Sequence, residues 1–126
     1  MEKLKILIAE DEEVTQKLYA IGFRDEVHEL RFAENGEEAL KTYAAWKPDI
    51  IILDIMMPNL NGFQTLENIR TTLKDNETTV IMATAVTDKK EIIACAKLGI
   101  QGYILKPFTA KNLSETILNY HYCVKN

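Results

Sequence analysis

Short apolar runs alternate with segments of helical periodicity along the whole chain. Between the runs, apolar residues recur three or four positions apart, as they do on one face of a helix. Strict alternation of strands and helices is typical of a parallel sheet that is covered on both faces. The pattern predicts an α/β fold of five strands and five helices, forming one domain over residues 1–126. The predicted strands are 4–9, 28–33, 49–54, 79–84 and 102–105.

The predicted helices carry apolar stripes, and several begin at residues suited to that position. In the first helix, Val14, Leu18 and Ile21 repeat at helical spacing, as apolar residues do on one face of a helix. Asn35, Asp88 and Thr109 precede the second, fourth and fifth helices and are candidate N-caps, because their side-chain oxygens can accept hydrogen bonds from free backbone N–H groups.

Composition narrows the class of protein without identifying its function. The chain has 19 acidic and 15 basic residues and a formal net charge of −4, which argues against a nucleic-acid surface. The longest apolar run, 50–53, is too short to span a bilayer, and no signal-peptide pattern follows Met1. Cys95 and Cys123 lack metal-ligand spacing and are expected to be free thiols. A cytoplasmic protein is expected.

Residues with reactive or charged side chains follow four of the five predicted strands. In an open α/β sheet, ligands bind at the carboxyl ends of the strands. Three acids, one hydroxyl and one lysine are therefore expected to converge on one rim of the sheet. These residues are Glu10 and Asp11 after the first strand, Asp54 at the end of the third, Thr84 at the end of the fourth and Lys106 at the end of the fifth.

Asp54 is the hardest of these residues to explain as purely structural. Taken alone, Asp11 fits a helix cap, Thr84 a turn hydroxyl and Lys106 a solvated surface charge. A carboxylate directly after four large apolar residues needs a partner or a metal, because an isolated buried charge is costly. One lysine cannot balance three carboxylates, and an acidic cluster with only oxygen donors suits a hard cation such as Mg²⁺.

Four segments of the chain form a combined pattern: IAEDE at 8–12, LDIMMP at 53–58 followed by Gly62, ATA at 83–85 and GYILKPF at 102–108. Taken together, they resemble the receiver domains of two-component response regulators, over essentially the whole chain. The resemblance implies a flavodoxin-like fold with strand order 2-1-3-4-5 and a cis peptide bond between Lys106 and Pro107. One departure is Glu10, where many receivers have aspartate.

The resemblance also implies which residues accept the phosphoryl group and hold the metal. Asp54 would be the nucleophile, receiving a phosphoryl group from a histidine kinase or a histidine phosphotransfer protein. Asp11 and Asp54 would bind Mg²⁺ directly, Glu10 would act through a water, and the backbone carbonyl of Met56 would supply another oxygen.

A second set of residues is implied to bind the phosphoryl group and report its presence. Lys106 would pair with the phosphoryl oxygens, the Thr84 hydroxyl would bind one of them, and Tyr103 would move with Thr84 as a switch. The expected function is a phosphorylation switch and not an enzyme with a separate substrate. Its output surface, comprising the fourth helix, fifth strand and fifth helix, would bind a downstream protein or effector domain, or form a dimer. This face carries Lys89, Lys90, Lys97 and Lys111.

Three alternatives fit parts of the pattern. A small Mg²⁺-dependent aspartyl-phosphate phosphatase or phosphotransferase of the haloacid-dehalogenase type needs a second aspartate two residues after its nucleophile, where this chain has Met56. A flavodoxin-like electron carrier would suffer repulsion between the flavin phosphate and the acidic run 10–13. A receiver that has lost phosphorylation would not be expected to keep Asp11, Asp54, Thr84 and Lys106 together.

Overall fold

A computed structural model describes residues 3–125 as five parallel strands that alternate with five α-helices. The strands form one sheet in the order β2-β1-β3-β4-β5, so the predicted α/β class and strand order are confirmed. The elements are β1 (Lys5–Ala9), α1 (Glu13–Gly22), β2 (Glu29–Ala33), α2 (Gly36–Trp46), β3 (Ile50–Leu53), α3 (Gly62–Glu67) continuing into a π-helical turn (Asn68–Thr72), β4 (Thr79–Thr84), α4 (Lys89–Leu98), β5 (Gly102–Leu105) and α5 (Leu113–Lys125).

The sheet separates two apolar clusters because successive side chains of a strand point to opposite faces. On one face, Leu7 of β1 and Ile51 of β3 pack with residues of α2, α3 and α4. On the other face, Ile8 and Ile52 pack with residues of α1 and α5. The central strands are therefore buried on both sides, which explains their nearly continuous apolar sequences.

The stripe of Val14, Leu18 and Ile21 is not the face of α1 that packs against the core. Val14 is 74% exposed and Ile21 is 50% exposed, whereas Tyr19 and Phe23 are buried. A single helix can bury only one face, and the two aromatic side chains remove more apolar area from water than the aliphatic stripe would. The helix therefore leaves Val14 and Ile21 in solvent, with Leu18 only half-buried.

The helix starts agree with the predicted caps in two cases out of three. The Asn35 side chain accepts a hydrogen bond from the backbone N–H three residues later, and Asp88 accepts one from the N–H two residues later. The prediction for Thr109 is wrong, because α5 begins at Leu113. Asn112, immediately before that start, has a φ of 62°, a left-handed conformation that cannot belong to a right-handed helix.

The π-helical turn places Arg70 inside the protein, where it is 6% exposed. Its guanidinium joins the following loop, residues 75–78, to residues 99–101 after α4. The wide turn makes this possible by directing the side chain inward. Burial acts to lower the pKa of Arg70, and the nearby Asp75 charge acts against this. The guanidinium donates hydrogen bonds of 2.8–3.2 Å to the backbone carbonyls of Asp75, Thr78 and Gly99 and to the side chain of Gln101.

The carboxylate of Asp75 organises the loop between the π turn and β4. It accepts hydrogen bonds from the Tyr43 hydroxyl at 2.5 Å and the Thr78 hydroxyl at 2.6 Å. The backbone N–H groups of Glu77 and Thr78 also donate to it. Although burial acts to raise the pKa of Asp75, these hydrogen bonds hold it well below its usual range. The loop that carries the acceptors of Arg70 is thus fixed by a second polar network.

Replacing Arg70 with methionine should lower the free energy of unfolding by about 2–4 kcal/mol. Methionine fills similar space but cannot donate to the carbonyls of the loop and of Gly99, which would lose their partners. Urea denaturation would measure the change. The control is Arg24→Met, which removes the same charge from an exposed position and should cost less than about 0.5 kcal/mol. Equal stability of the two variants would contradict a bridging role for Arg70.

Candidate functional site

The carboxyl ends of β1, β3 and β5 bring Glu10, Asp54 and Lys106 into direct contact. The Lys106 ammonium nitrogen lies 2.6 Å from Glu10 Oε1 and 2.5 Å from Asp54 Oδ2. Glu10 is 1% exposed and Asp54 is 5% exposed, so both carboxylates are nearly withdrawn from water. A lysine shared by two buried carboxylates forms the floor of the candidate site.

Parallel strand pairing sets these positions. In the register, Ala9 lies beside Leu53, so that the residues following them, Glu10 and Asp54, are also neighbours. The backbone N–H of Asp54 donates to the carbonyl of Ala9 at 3.2 Å, which extends the ladder to the site. Lys106 is fixed in the same way, because its backbone N–H donates to the carbonyl of Thr84 at 2.9 Å, and its peptide bond to the following proline is cis, as expected.

Three carboxylates lie close enough together to share one cation. Carboxylate oxygens of Glu10, Asp11 and Asp54 lie within 4.8 Å of one another, with Asp11 exposed at the mouth. The other Asp54 oxygen accepts a hydrogen bond from the backbone N–H of Met56 at 3.1 Å, which brings the Met56 backbone to the same pocket. The candidate ligand atoms are all oxygens, and the negative charge of the carboxylates exceeds the positive charge of Lys106. This combination fits Mg²⁺.

The protonation equilibria at the site reflect competition between burial and ion pairing. Burial raises the pKa of Glu10, and the hydrogen bond from Lys106 offsets only part of this effect. Burial also acts to lower the pKa of Lys106, but the hydrogen bonds to Asp54 and Glu10 outweigh it and raise the pKa. Lys106 therefore remains charged in the pocket and is available to pair with an anion.

A glycine is required where the loop after β3 returns to the site. A Cβ atom on Gly62 would lie 2.2 Å from the carbonyl oxygen of Asp54, a backbone clash that no rotamer could relieve. The next helix is held against this point by a capping box between Asn61 and Gln64, with hydrogen bonds of 2.8 and 3.0 Å. The Asn-x-x-Gln spacing is a sequence signal for a capping box, but no cap was predicted from it at this position.

Thr84 and Tyr103 are connected through the loop that follows β4. Thr84 is fully buried, and its hydroxyl oxygen lies 3.4 Å from the backbone nitrogen of Val86. The Tyr103 hydroxyl donates a 2.8 Å hydrogen bond to the carbonyl of the same Val86. One loop residue therefore contacts both expected switch residues.

Two further residues at the site were not assigned roles from the sequence. The Glu12 carboxylate lies 3.8 Å from the Lys106 ammonium, and the Gln16 side chain donates to the Glu10 carbonyl at 2.7 Å. Glu12 belongs to the acidic run at 10–13, but its residue type and position do not distinguish it from the neighbouring exposed Glu13. Gln16 could not be identified from the sequence, because polar residues are common on the exposed faces of surface helices.

Comparison with known proteins identifies the family. The sequence model of the response regulator receiver domain matches residues 6–118. A probable transcriptional regulator, ycf27, of Guillardia theta is 37% identical over 115 residues, covering 91% of this chain and 44% of that protein. Its counterpart in Porphyridium aerugineum is 33% identical over 117 residues, covering 93% and 48%. The chain thus spans slightly less than half the length of these relatives.

Solved structures agree with this family and its fold. The signal receiver domain of a putative LuxO repressor protein from Vibrio parahaemolyticus superposes with a TM-score of 0.87 at 27% identity, covering 98% of this chain and 94% of that one. The chemotaxis protein CheY4 of Vibrio cholerae gives a TM-score of 0.84 at 25% identity, covering 94% and 99%.

The sheet order and the acidic pocket define a CheY-like α/β receiver. The chain belongs to the response regulator receiver domain family of two-component systems. Members of this family act as phosphorylation switches and bind Mg²⁺ at an acidic pocket. Membership favours a receiver over the dehalogenase-type and flavodoxin-type alternatives. Among residues 3–125, no helix is long and apolar enough to cross a membrane.

Replacing Asp11 with asparagine should raise the free energy of unfolding in EDTA by at most about 1 kcal/mol, because it relieves repulsion that solvent partly screens at this exposed residue. Mg²⁺ should stabilise the parent by mass action and stabilise this variant less. Urea melts with Mg²⁺ and with EDTA would measure both effects. Asp25→Asn removes the same charge from an exposed position in the loop after α1 and should show neither. If Asp11→Asn destabilised the protein in EDTA, the carboxylate would be structural.

Proposed function

We propose that Asp54 is the phosphoacceptor of this receiver domain and takes its phosphoryl group from a histidine kinase or a histidine phosphotransfer protein. The observation that carries the proposal is the contact between Asp54 and Lys106 at the centre of the acidic pocket. A carboxylate oxygen of Asp54 would attack phosphorus, the P–N bond to the donor histidine would break, and the imidazole nitrogen would keep the electron pair. The product is an aspartyl phosphate.

The acidic residues have a separate part in this proposal. Asp11, Asp54 and the Met56 carbonyl would bind Mg²⁺ directly, and Glu10 would hold one of its waters. The cation would neutralise charge between the acceptor carboxylate and the incoming phosphoryl group. Lys106 would exchange its contact with the Asp54 carboxylate for one with a phosphoryl oxygen, and the Thr84 hydroxyl would bind another. Retention of Asp11, Asp54, Thr84 and Lys106 together argues against a receiver that works without phosphorylation.

The apolar stripe of α1 is a candidate docking surface for the phosphodonor. Val14 and Ile21 are solvent-exposed, and Leu18 lines a groove of 340 Å³ that reaches Lys106 and Phe108. We propose that the donor covers this stripe while its phosphohistidine enters the pocket. Residues 1–126 would act as one cytoplasmic receiver domain that does not itself bind nucleic acid.

We propose that phosphorylation changes the surface of the domain near Tyr103. Binding of the Thr84 hydroxyl to a phosphoryl oxygen would pull on the β4–α4 loop, to which Tyr103 is already hydrogen-bonded through Val86. A change there would reach α4, β5 and α5, the proposed docking face for a downstream protein, an effector domain or a second receiver. Exposed lysines on this face are Lys89, Lys90, Lys97 and Lys111.

With Mg²⁺ and acetyl phosphate, the protein should gain one phosphoryl group that is stable in acid and labile in base. Asp54→Asn keeps the side-chain shape but removes the nucleophile, so it should gain none. Intact-protein mass spectrometry would measure the gain, and an amide NMR spectrum would establish that the variant is folded. Asp25→Asn, a matched loss of charge far from the pocket, should be labelled like the parent. Equal labelling of Asp54→Asn and the parent would refute the assignment.

Beryllofluoride, which occupies the place of a phosphoryl group on a carboxylate, should shift the backbone amides of α4, β5, α5 and the loop around Val86. The physical reason is the shared contact of Thr84 and Tyr103 with that loop. Amide NMR with Mg²⁺, before and after beryllofluoride, would record the shifts, and Asp54→Asn should show none. Shifts restricted to α1 and α2 would contradict the proposed output face.

A further inference from the structure

Glu12 occupies the N-cap position of α1 but does not cap the helix. Its side chain makes no hydrogen bond to the first turn, and its backbone is extended, with φ −92° and ψ 121°. Serine, threonine, aspartate and asparagine are the preferred residues at this position, because their short side chains reach the free N–H groups. The position is therefore filled by a residue whose side chain does not cap the helix by a hydrogen bond.

The Glu12 carboxylate is instead near the reactive end of Lys106. Its Oε1 atom lies 3.8 Å from the Lys106 ammonium, while the side chain remains 67% exposed. Its backbone N–H donates to Glu10 Oε2 at 3.1 Å, which fixes the base of the side chain at the pocket. Glu12 thus lines both the 250 Å³ pocket that contains Asp54 and the outer groove that contains Leu18.

A negative charge at this place has two opposite consequences for the proposed reaction. It attracts a divalent cation that enters the pocket, and it repels a phosphodonor that carries negative charge. It also competes with the phosphoryl oxygens for Lys106, whose ammonium already contacts Glu10 and Asp54. The competition is adjustable, because an exposed side chain can turn away once another anion binds Lys106.

We propose that Glu12 is a positioning residue at the mouth of the acidic pocket, which strengthens Mg²⁺ binding and slows phosphorylation by small anionic donors through its interaction with Lys106. The proposal rests on the proposed function of Asp54. It assigns this residue a selective role, since a free phosphodonor must overcome the Glu12 charge, whereas a docked protein donor can displace the side chain.

The matched pair of variants is Glu12→Gln and Glu13→Gln. Both remove one negative charge from adjacent, exposed positions, but the Glu13 carboxylate pairs with Lys17 on α1, at 3.5 Å. Calorimetric titration with Mg²⁺ alone should show affinity weakened by about 2–5-fold in Glu12→Gln. At saturating Mg²⁺, its rate of phosphorylation by acetyl phosphate should rise by about 2–5-fold. Glu13→Gln should change neither by more than about 1.5-fold, and higher ionic strength should shrink both differences.

The two readouts make each outcome decisive. If both quantities moved in the same direction, or if Glu13→Gln matched Glu12→Gln, the positioning role would be overturned. If the parent itself took no phosphoryl group, the proposed function would fail and the kinetic half of this inference with it, while the Mg²⁺ titration would still decide the other half. Glu12→Ser should gain helix stability from a true cap yet show the same two changes, which separates the electrostatic role from a structural one.

Discussion

The Lys106 ammonium holds together two buried carboxylates, Glu10 and Asp54, that would otherwise repel each other. A third carboxylate, Asp11, stands at the mouth of the same pocket with no such close contact to the lysine. Removing charges from water is costly, so this arrangement exists at the expense of stability and needs the rest of the fold to enforce it. The site can therefore respond strongly to a bound cation, because the cation relieves an excess of negative charge that is already present.

The enforcement comes from the parallel sheet and the loops at its carboxyl edge. The strand register fixes which residues lie side by side, and the ladder hydrogen bond from Asp54 to Ala9 extends that register into the pocket. The close return of the chain at Gly62 leaves no space for a side chain against the Asp54 backbone. Local charge repulsion is thus opposed by backbone contacts of the sheet and of the loop at Gly62.

The sequence predicted the elements and the rim residues better than the orientation of individual helices. Strand runs and the residues after them are determined by burial and by parallel geometry, so the meeting of Glu10, Asp54 and Lys106 could be anticipated. The orientation of the α1 stripe could not be anticipated, because its periodicity identifies an apolar face without indicating whether the core or a partner covers it. Thr109 failed as a cap for a local reason, the left-handed backbone at Asn112. Asparagine adopts this conformation more readily than most residues, but its presence alone does not predict it.

The inward position of Arg70 also escaped prediction, since an arginine in a helical segment is ordinarily at the surface. The direction of the Arg70 side chain depends on the number of residues in the π turn as much as on their identity. A π turn accommodates one residue more than an α turn, so deleting one residue from 68–72 would rotate the neighbouring side chains by about 100° around the axis. A different side chain would then face Gly99 at the end of α4. Receivers that differ here by a single insertion or deletion would consequently anchor α4 by different means, even where their phosphorylation pockets are the same.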